Sequence, residues 1–169
     1  SNNSITQTGL VTIVANASTS SSSITYDTTT GTNQSSITSG IVTLSGVSTQ
    51  AINYSIKTAG APITTSAITV PGSISLDNTF GCSGASCTPA TGFMASHASQ
   101  ATTTDAITVN GALTAGAYAG TTGISINGVS NGGDGAKILA TLTANAGPIT
   151  VQGSTTTGTY GLYDSANAT

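Results

Sequence analysis

Apolar residues alternate with small polar ones in short runs along most of the chain. Runs of period two lie at Leu10–Val14, Ile41–Leu44, Ile52–Ile56, Ile68–Val70, Ile74–Leu76, Ile107–Val109, Ile124–Ile126, Ile138–Leu142 and Ile149–Val151. Gly, Asn, Ser and Thr fill the intervals. Alternation sends one set of side chains inward and the other to water, which predicts half-buried β-strands. No window carries the 3.6-residue period of an amphipathic helix. Glu and Arg, two good helix formers, are absent, and Thr, Ser, Val, Ile and Gly favour strands and turns. The pattern predicts an all-β chain of many short strands around a thin core.

The runs also repeat. An aliphatic residue, a small polar one, an aliphatic one, any residue and then Gly occur at Val42–Gly46, Ile68–Gly72, Ile107–Gly111, Ile124–Gly128 and Ile149–Gly153, with start-to-start spacings of 26, 39, 17 and 25. A second motif joins Ser55–Thr65 to Thr141–Val151, each a strand, a Gly/Pro corner and a new strand opening with Ile-Thr. The tail from Ile149 parallels the segment from Ile124: Gly153 matches Gly128, and Tyr160–Tyr163 matches Asp134–Ile138 with one gap. A unit of about 17–27 residues cannot bury its own apolar face, so units must stack. This predicts a parallel β-helix, or β-solenoid, of seven or eight coils and roughly 35 Å of length at the usual strand spacing.

The 169 residues suit one all-β unit, 1–169. Residues 77–106 break its pattern and read as an excursion from the scaffold. They hold Phe80, Phe93, Met94, His97 and both cysteines, Cys82 and Cys87. Such close cysteines read as a disulfide that closes the base of the excursion in an oxidising compartment, or else as two free thiols in a loop. The excursion itself is either a contact loop or a cover that buries its aromatics.

Composition narrows the function. Ser, Thr, Gly and Ala together fill 101 positions, while Lys plus Arg number 2 and Asp plus Glu 5. General acid–base catalysis needs clustered titratable groups, so no enzyme is expected. Nucleic-acid binding needs a basic surface, which two lysines do not make. No apolar run is long enough for a membrane-spanning helix. Lys57 and Lys137 are the only cations able to guard a sheet edge against pairing. A chain so poorly guarded is expected to associate or to be covered by its own continuation. The start at Ser1 suggests a processed product or a piece of something longer.

The copies at Ile107–Gly116, Ile124–Gly128 and Ile149–Tyr163 resemble the β-strand repeats of filamentous-haemagglutinin-like proteins, the large secreted adhesins of two-partner secretion systems. The likeness covers residues 107–169 well and 41–76 fairly. It implies a right-handed parallel β-helix, bacterial surface exposure and adhesion. The Cys82/Cys87 loop departs from those repeats, which usually lack cysteine. A weaker likeness is to spore-coat-U-like and related pilin domains. There Ile107–Ile126 is similar to a closing hairpin, and Ile41–Ile56 to a central one. That likeness implies an immunoglobulin-like β-sandwich, polymerising by lending the Ser1–Val14 strand to a neighbour.

Candidate chemistry is sparse. His97 has no partner at metal-ligand spacing and reads as a loop residue. Asn131–Gly135 looks like part of a calcium turn, but the repeat such turns need is missing, and an Asn-Gly turn explains it. The five aspartates, at 27, 77, 105, 134 and 164, are scattered, and a carbohydrate-active site would need Asp105 and Asp134 to face each other across a groove. No cofactor is expected. Glycosylation sequons fall at Asn2, Asn16, Asn33, Asn53 and Asn167. The sequence therefore reads as a non-enzymatic, secreted structural or adhesive protein of the microbial surface. Its expected partners are further copies, the continuation of a longer repeat chain, or a surface or carbohydrate ligand.

Overall fold

The computed structural model describes residues 5–7, 11–15, 22–27, 36–46, 52–58, 60–79, 104–116, 123–130 and 132–166. The strands are β1 (Ile5–Gln7), β2 (Val11–Ala15), β3 (Ser22–Asp27), β4 (Ile37–Ser39), β5 (Val42–Gly46), β6 (Ile52–Lys57), β7 (Ile63–Thr65) and β8 (Ile68–Val70). The series continues with β9 (Ile74–Asp77), β10 (Ile107–Val109), β11 (Leu113–Ala115), β12 (Ile124–Ser130), β13 (Ala136–Ile138), β14 (Leu142–Ala144), β15 (Ile149–Thr155) and β16 (Leu162–Asp164). No helix occurs among the described residues.

Every third strand pairs with the next, always in parallel. Sheet A runs β1-β4-β7-β10-β13-β16, sheet B runs β2-β5-β8-β11-β14, and sheet C runs β3-β6-β9-β12-β15. One coil therefore contributes one strand to each of three sheets, and the chain is a three-sided parallel β-helix. Among the described residues five coils are complete and β16 opens a sixth. The expected seven or eight coils are corrected to this number, and sheet A measures roughly 24 Å from first to last strand at the usual spacing.

The miscount has a physical cause. The five-residue motif fits any face: Val42 and Ile68 start strands of sheet B, Ile107 starts one of sheet A, and Ile124 and Ile149 start strands of sheet C. Only 42→68 and 124→149 measure one coil. The Ser55–Thr65 and Thr141–Val151 copies likewise turn different corners, the first from sheet C to A and the second from B to C. The tail alignment holds: Gly128 pairs with Gly153, Ala136 with Leu162 and Lys137 with Tyr163.

Parallel pairing throughout removes the sandwich alternative. Ile41–Ile56 and Ile107–Ile126 form no hairpins, because their strands lie in successive sheets. Residues 5–7 and 11–15 belong to sheets A and B of the first coil, not to a donated strand. The run Ile138–Leu142 is also not one strand. It straddles the corner between β13 and β14, and Leu139 is turned outward there.

The core is a set of aliphatic columns. Sheet A stacks Ile37, Ile63, Ile107 and Ala136, sheet B stacks Val42, Ile68 and Leu113, and sheet C stacks Ile56, Leu76 and Ile126; all are buried. Each such aliphatic side chain contributes about 1.5–3 kcal/mol through burial. Tyr54 precedes Ile74 and Ile124 in a further column of sheet C and meets Tyr26 edge to face at 5.8 Å. Coils approach so closely that a Cβ on Gly158 would collide with the Gly133 carbonyl oxygen. Gly60, at φ 84°, turns the corner before β7 in a backbone region L-residues avoid.

Candidate functional site: the corner between sheets C and A

The corner that leads from sheet C into sheet A carries most of the described polar chemistry. At this corner the described residues run to Thr79 and resume at Thr104. The Asn78 side chain mimics a strand there: its Nδ2 donates to the Val129 carbonyl at 3.0 Å, and its Oδ1 accepts from the Val129 N–H at 2.8 Å. Ser130 Oγ donates to the Thr104 carbonyl at 2.9 Å and accepts from Gly133 N–H. Asp77 Oδ1 accepts from the Thr79 N–H and hydroxyl at 2.8 and 2.6 Å. Asn78 and Thr104 are therefore both fastened to β12.

Cys82, Cys87, His97, Phe80, Phe93 and Met94 lie outside the described residues, as do Asn2, Asn16, Asn33 and Asn167. Asn53 is described. It braces a corner, its Oδ1 accepting from the Ser73 N–H at 2.8 Å. Asn131 also lies outside the described residues. Its neighbour Gly133 packs so tightly that a Cβ would strike the Thr104 backbone. That close coil-to-coil contact explains the glycines of Asn131–Gly135 without a chelated ion. No group of three or more His, Cys, Asp or Glu converges among the described residues.

Asp105 and Asp134 do come together, one coil apart, but not across a groove. Asp105 Oδ1 accepts from the Asp134 N–H at 2.9 Å, and Asp134 Oδ1 accepts from the Tyr160 N–H at 3.1 Å. Each carboxylate thus replaces a backbone acceptor for the coil below. Both carboxylates are thus engaged with backbone N–H groups of the stack, whereas a two-carboxylate hydrolysis needs the pair to flank a bound sugar. The remaining oxygen of Asp105, Oδ2, lies 3.1 Å from Lys137 Nζ.

Lys137 is no edge guard. It stands on β13, an interior strand of sheet A, and Lys57 stands on β6, an interior strand of sheet C, in register between Asp27 and Asp77. Hydrogen bonding to Asp105 and the charge of that carboxylate raise the Lys137 pKa above its ordinary value. Lys137 Nζ also lies 5.9 Å from the centre of the Tyr163 ring, within cation–π reach. Tyr163 packs in turn against Tyr160, with ring centres 5.4 Å apart and planes tilted by 46°. The group Asp105–Lys137–Tyr163–Tyr160 escaped the sequence reading because its members lie in three coils. A partial signal lies in the tail alignment, which matches Tyr160–Tyr163 to Asp134–Ile138 with one gap; the register of β13 and β16 sets Tyr163 beside Lys137.

A second concavity, of about 210 Å³, opens on sheet C beside Ser73, Ser75, Ser125, Pro148 and Thr150. Its walls carry hydroxyls and no ionisable group.

No family model matches the chain. Searches of curated proteins and of solved structures also return no match.

Proposed function

We propose that this chain is a secreted structural and adhesive element of a microbial cell surface, working as part of a fibre through reach and repeated surface contacts. The observation that carries the reading is the uniformity of the coils. In sheet B successive coils present an inward aliphatic column, Val42, Ile68 and Leu113, with an outward threonine beside each. Thr12, Thr43, Thr69, Thr114 and Thr143 fall in one register across sheet B. Such a stack grows in length without any change of fold. The likeness of residues 107–169 to filamentous-haemagglutinin-like repeats supports the same reading. Donor-strand exchange loses its basis, because that mechanism completes a sandwich and these sheets are parallel.

Two measurements test it. Cryo-EM of native fibres containing this chain is expected to show a thin rod with an axial strand repeat of roughly 4.8 Å. A long axial rise with one folded body per copy overturns the reading of a continuous solenoid stalk. Particles coated with the chain are expected to adhere to cell surfaces above uncoated controls, and equal retention overturns the adhesive reading.

A further inference from the structure

The outward row of sheet A changes character along its length. Thr38, Thr64 and Thr108 stand in register, followed by Lys137 and then Tyr163. The last two are held in place before any ligand arrives. Lys137 is pinned by Asp105 Oδ2 at 3.1 Å and lies 5.9 Å from the Tyr163 ring centre, and Tyr160 supports that ring from 5.4 Å. Lys137 and Asp105 keep 33% and 23% of their side-chain surface in water, so donor and acceptor are both reachable.

We propose that this row binds a neutral polysaccharide lying along the solenoid axis, with one sugar stacked on Tyr163 and its neighbours hydrogen-bonded by Lys137, Asp105 and Thr108. The inference rests on the adhesive reading and names the ligand class. A pyranose has an apolar C–H face and a rim of hydroxyls that donate and accept. The row matches both parts: an aromatic ring, then an ammonium, a carboxylate and hydroxyls. Its members repeat at the roughly 4.8 Å spacing of the strands, close to the rise of one unit in an extended β-linked glycan. A nucleic acid or an acidic glycan fits poorly, because the Lys137 charge is already matched by Asp105 in a chain of net charge −3. A peptide held in an apolar groove fits poorly as well, because the row continues into threonines.

Affinity electrophoresis of the whole 169-residue chain tests this, in gels containing soluble β-glucan, galactomannan or xylan, with polygalacturonate as the acidic contrast. Retardation by at least one neutral polymer is expected. Tyr163→Ala should weaken it roughly tenfold or more, equivalent to about 1.4 kcal/mol. Tyr163→Phe, which keeps the ring, should stay within about threefold of the parent. Lys137→Gln provides a second variant, expected to weaken binding, and Thr69→Ala on sheet B should change nothing. No retardation by any neutral polymer, retardation by polygalacturonate alone, or unchanged binding by Tyr163→Ala each overturns the proposal. Coated particles that adhere although the neutral polymers never bind sink this site and leave the adhesive reading standing. Polymers that bind by way of Tyr163 while particles fail to adhere support the site and sink that reading.

Discussion

Thr65 is fully buried, and its hydroxyl oxygen has no hydrogen-bond partner. It occupies an inward row of sheet A in which Ser39 precedes it and Val109 and Ile138 follow. A desolvated, unpartnered hydroxyl is unfavourable, and valine has nearly the same shape. Thr65→Val is therefore expected to stabilise the fold by about 1 kcal/mol, read as a higher urea midpoint at unchanged slope. Tyr54 shows the opposite case. Its hydroxyl lies 3.0 Å from Ser39 Oγ. Burial raises its pKa above 10.0, an effect the Ser39 hydrogen bond opposes and the charge of Tyr26 adds to slightly. The unfolded chain then loses this proton at lower pH than the folded one. The stabilisation is fully present below pH 10 and declines as pH rises through the folded pKa. Absorbance titration should find one late-ionising tyrosine that is missing from Tyr54→Phe. Tyr54→Phe should flatten the alkaline loss of stability; an unchanged slope would refute the assignment.

Strands were readable where aliphatic residues fill both inward positions, as at Ile68–Val70, Ile74–Leu76 and Ile107–Val109. They were unreadable where the second inward position is small or polar. Ile37–Ser39, Ile63–Thr65 and Leu113–Ala115 each carry only one large apolar side chain, too little for a period-two signal. Ordering the strands also needed more than local pattern, since one motif fits all three faces and only the pairing partner tells them apart. The candidate site was hidden for the same reason: Asp105, Lys137 and Tyr163 are isolated in sequence and meet only through coil register. Packing against neighbours on both sides also sets what each strand contributes. Ile126 is fully buried on β12, between β9 and β15, whereas Ile149 on β15 is 42% exposed. Ile126→Ala should cost about 2–5 kcal/mol, as aliphatic truncations in a core do. Ile149→Ala should cost well under half of that, and equal losses in urea unfolding would contradict the column picture.

In the 169-residue stretch taken by itself, stability should be graded rather than uniform. Each coil touches only its neighbours, so a central coil has two interfaces and a terminal one has a single interface. Leu162 is 45% exposed on β16, while Leu76 and Ile126 on β9 and β12 are fully buried. Hydrogen exchange is expected to find the amides of β9 and β12 protected most and those of β16 least. Uniform protection across the three would mean that the stack opens as one cooperative block.

The clamp at Asn78 and Ser130 has a consequence for change over generations. Whatever the chain carries between Thr79 and Thr104, its two ends are tied to the same neighbouring coil by side-chain hydrogen bonds. Loop-closure entropy rises only slowly with length, by about 0.6 kcal/mol for each doubling. A longer or shorter peptide between these two tied ends would therefore cost little, and the register of the coils and the sequence between Thr79 and Thr104 can be selected independently.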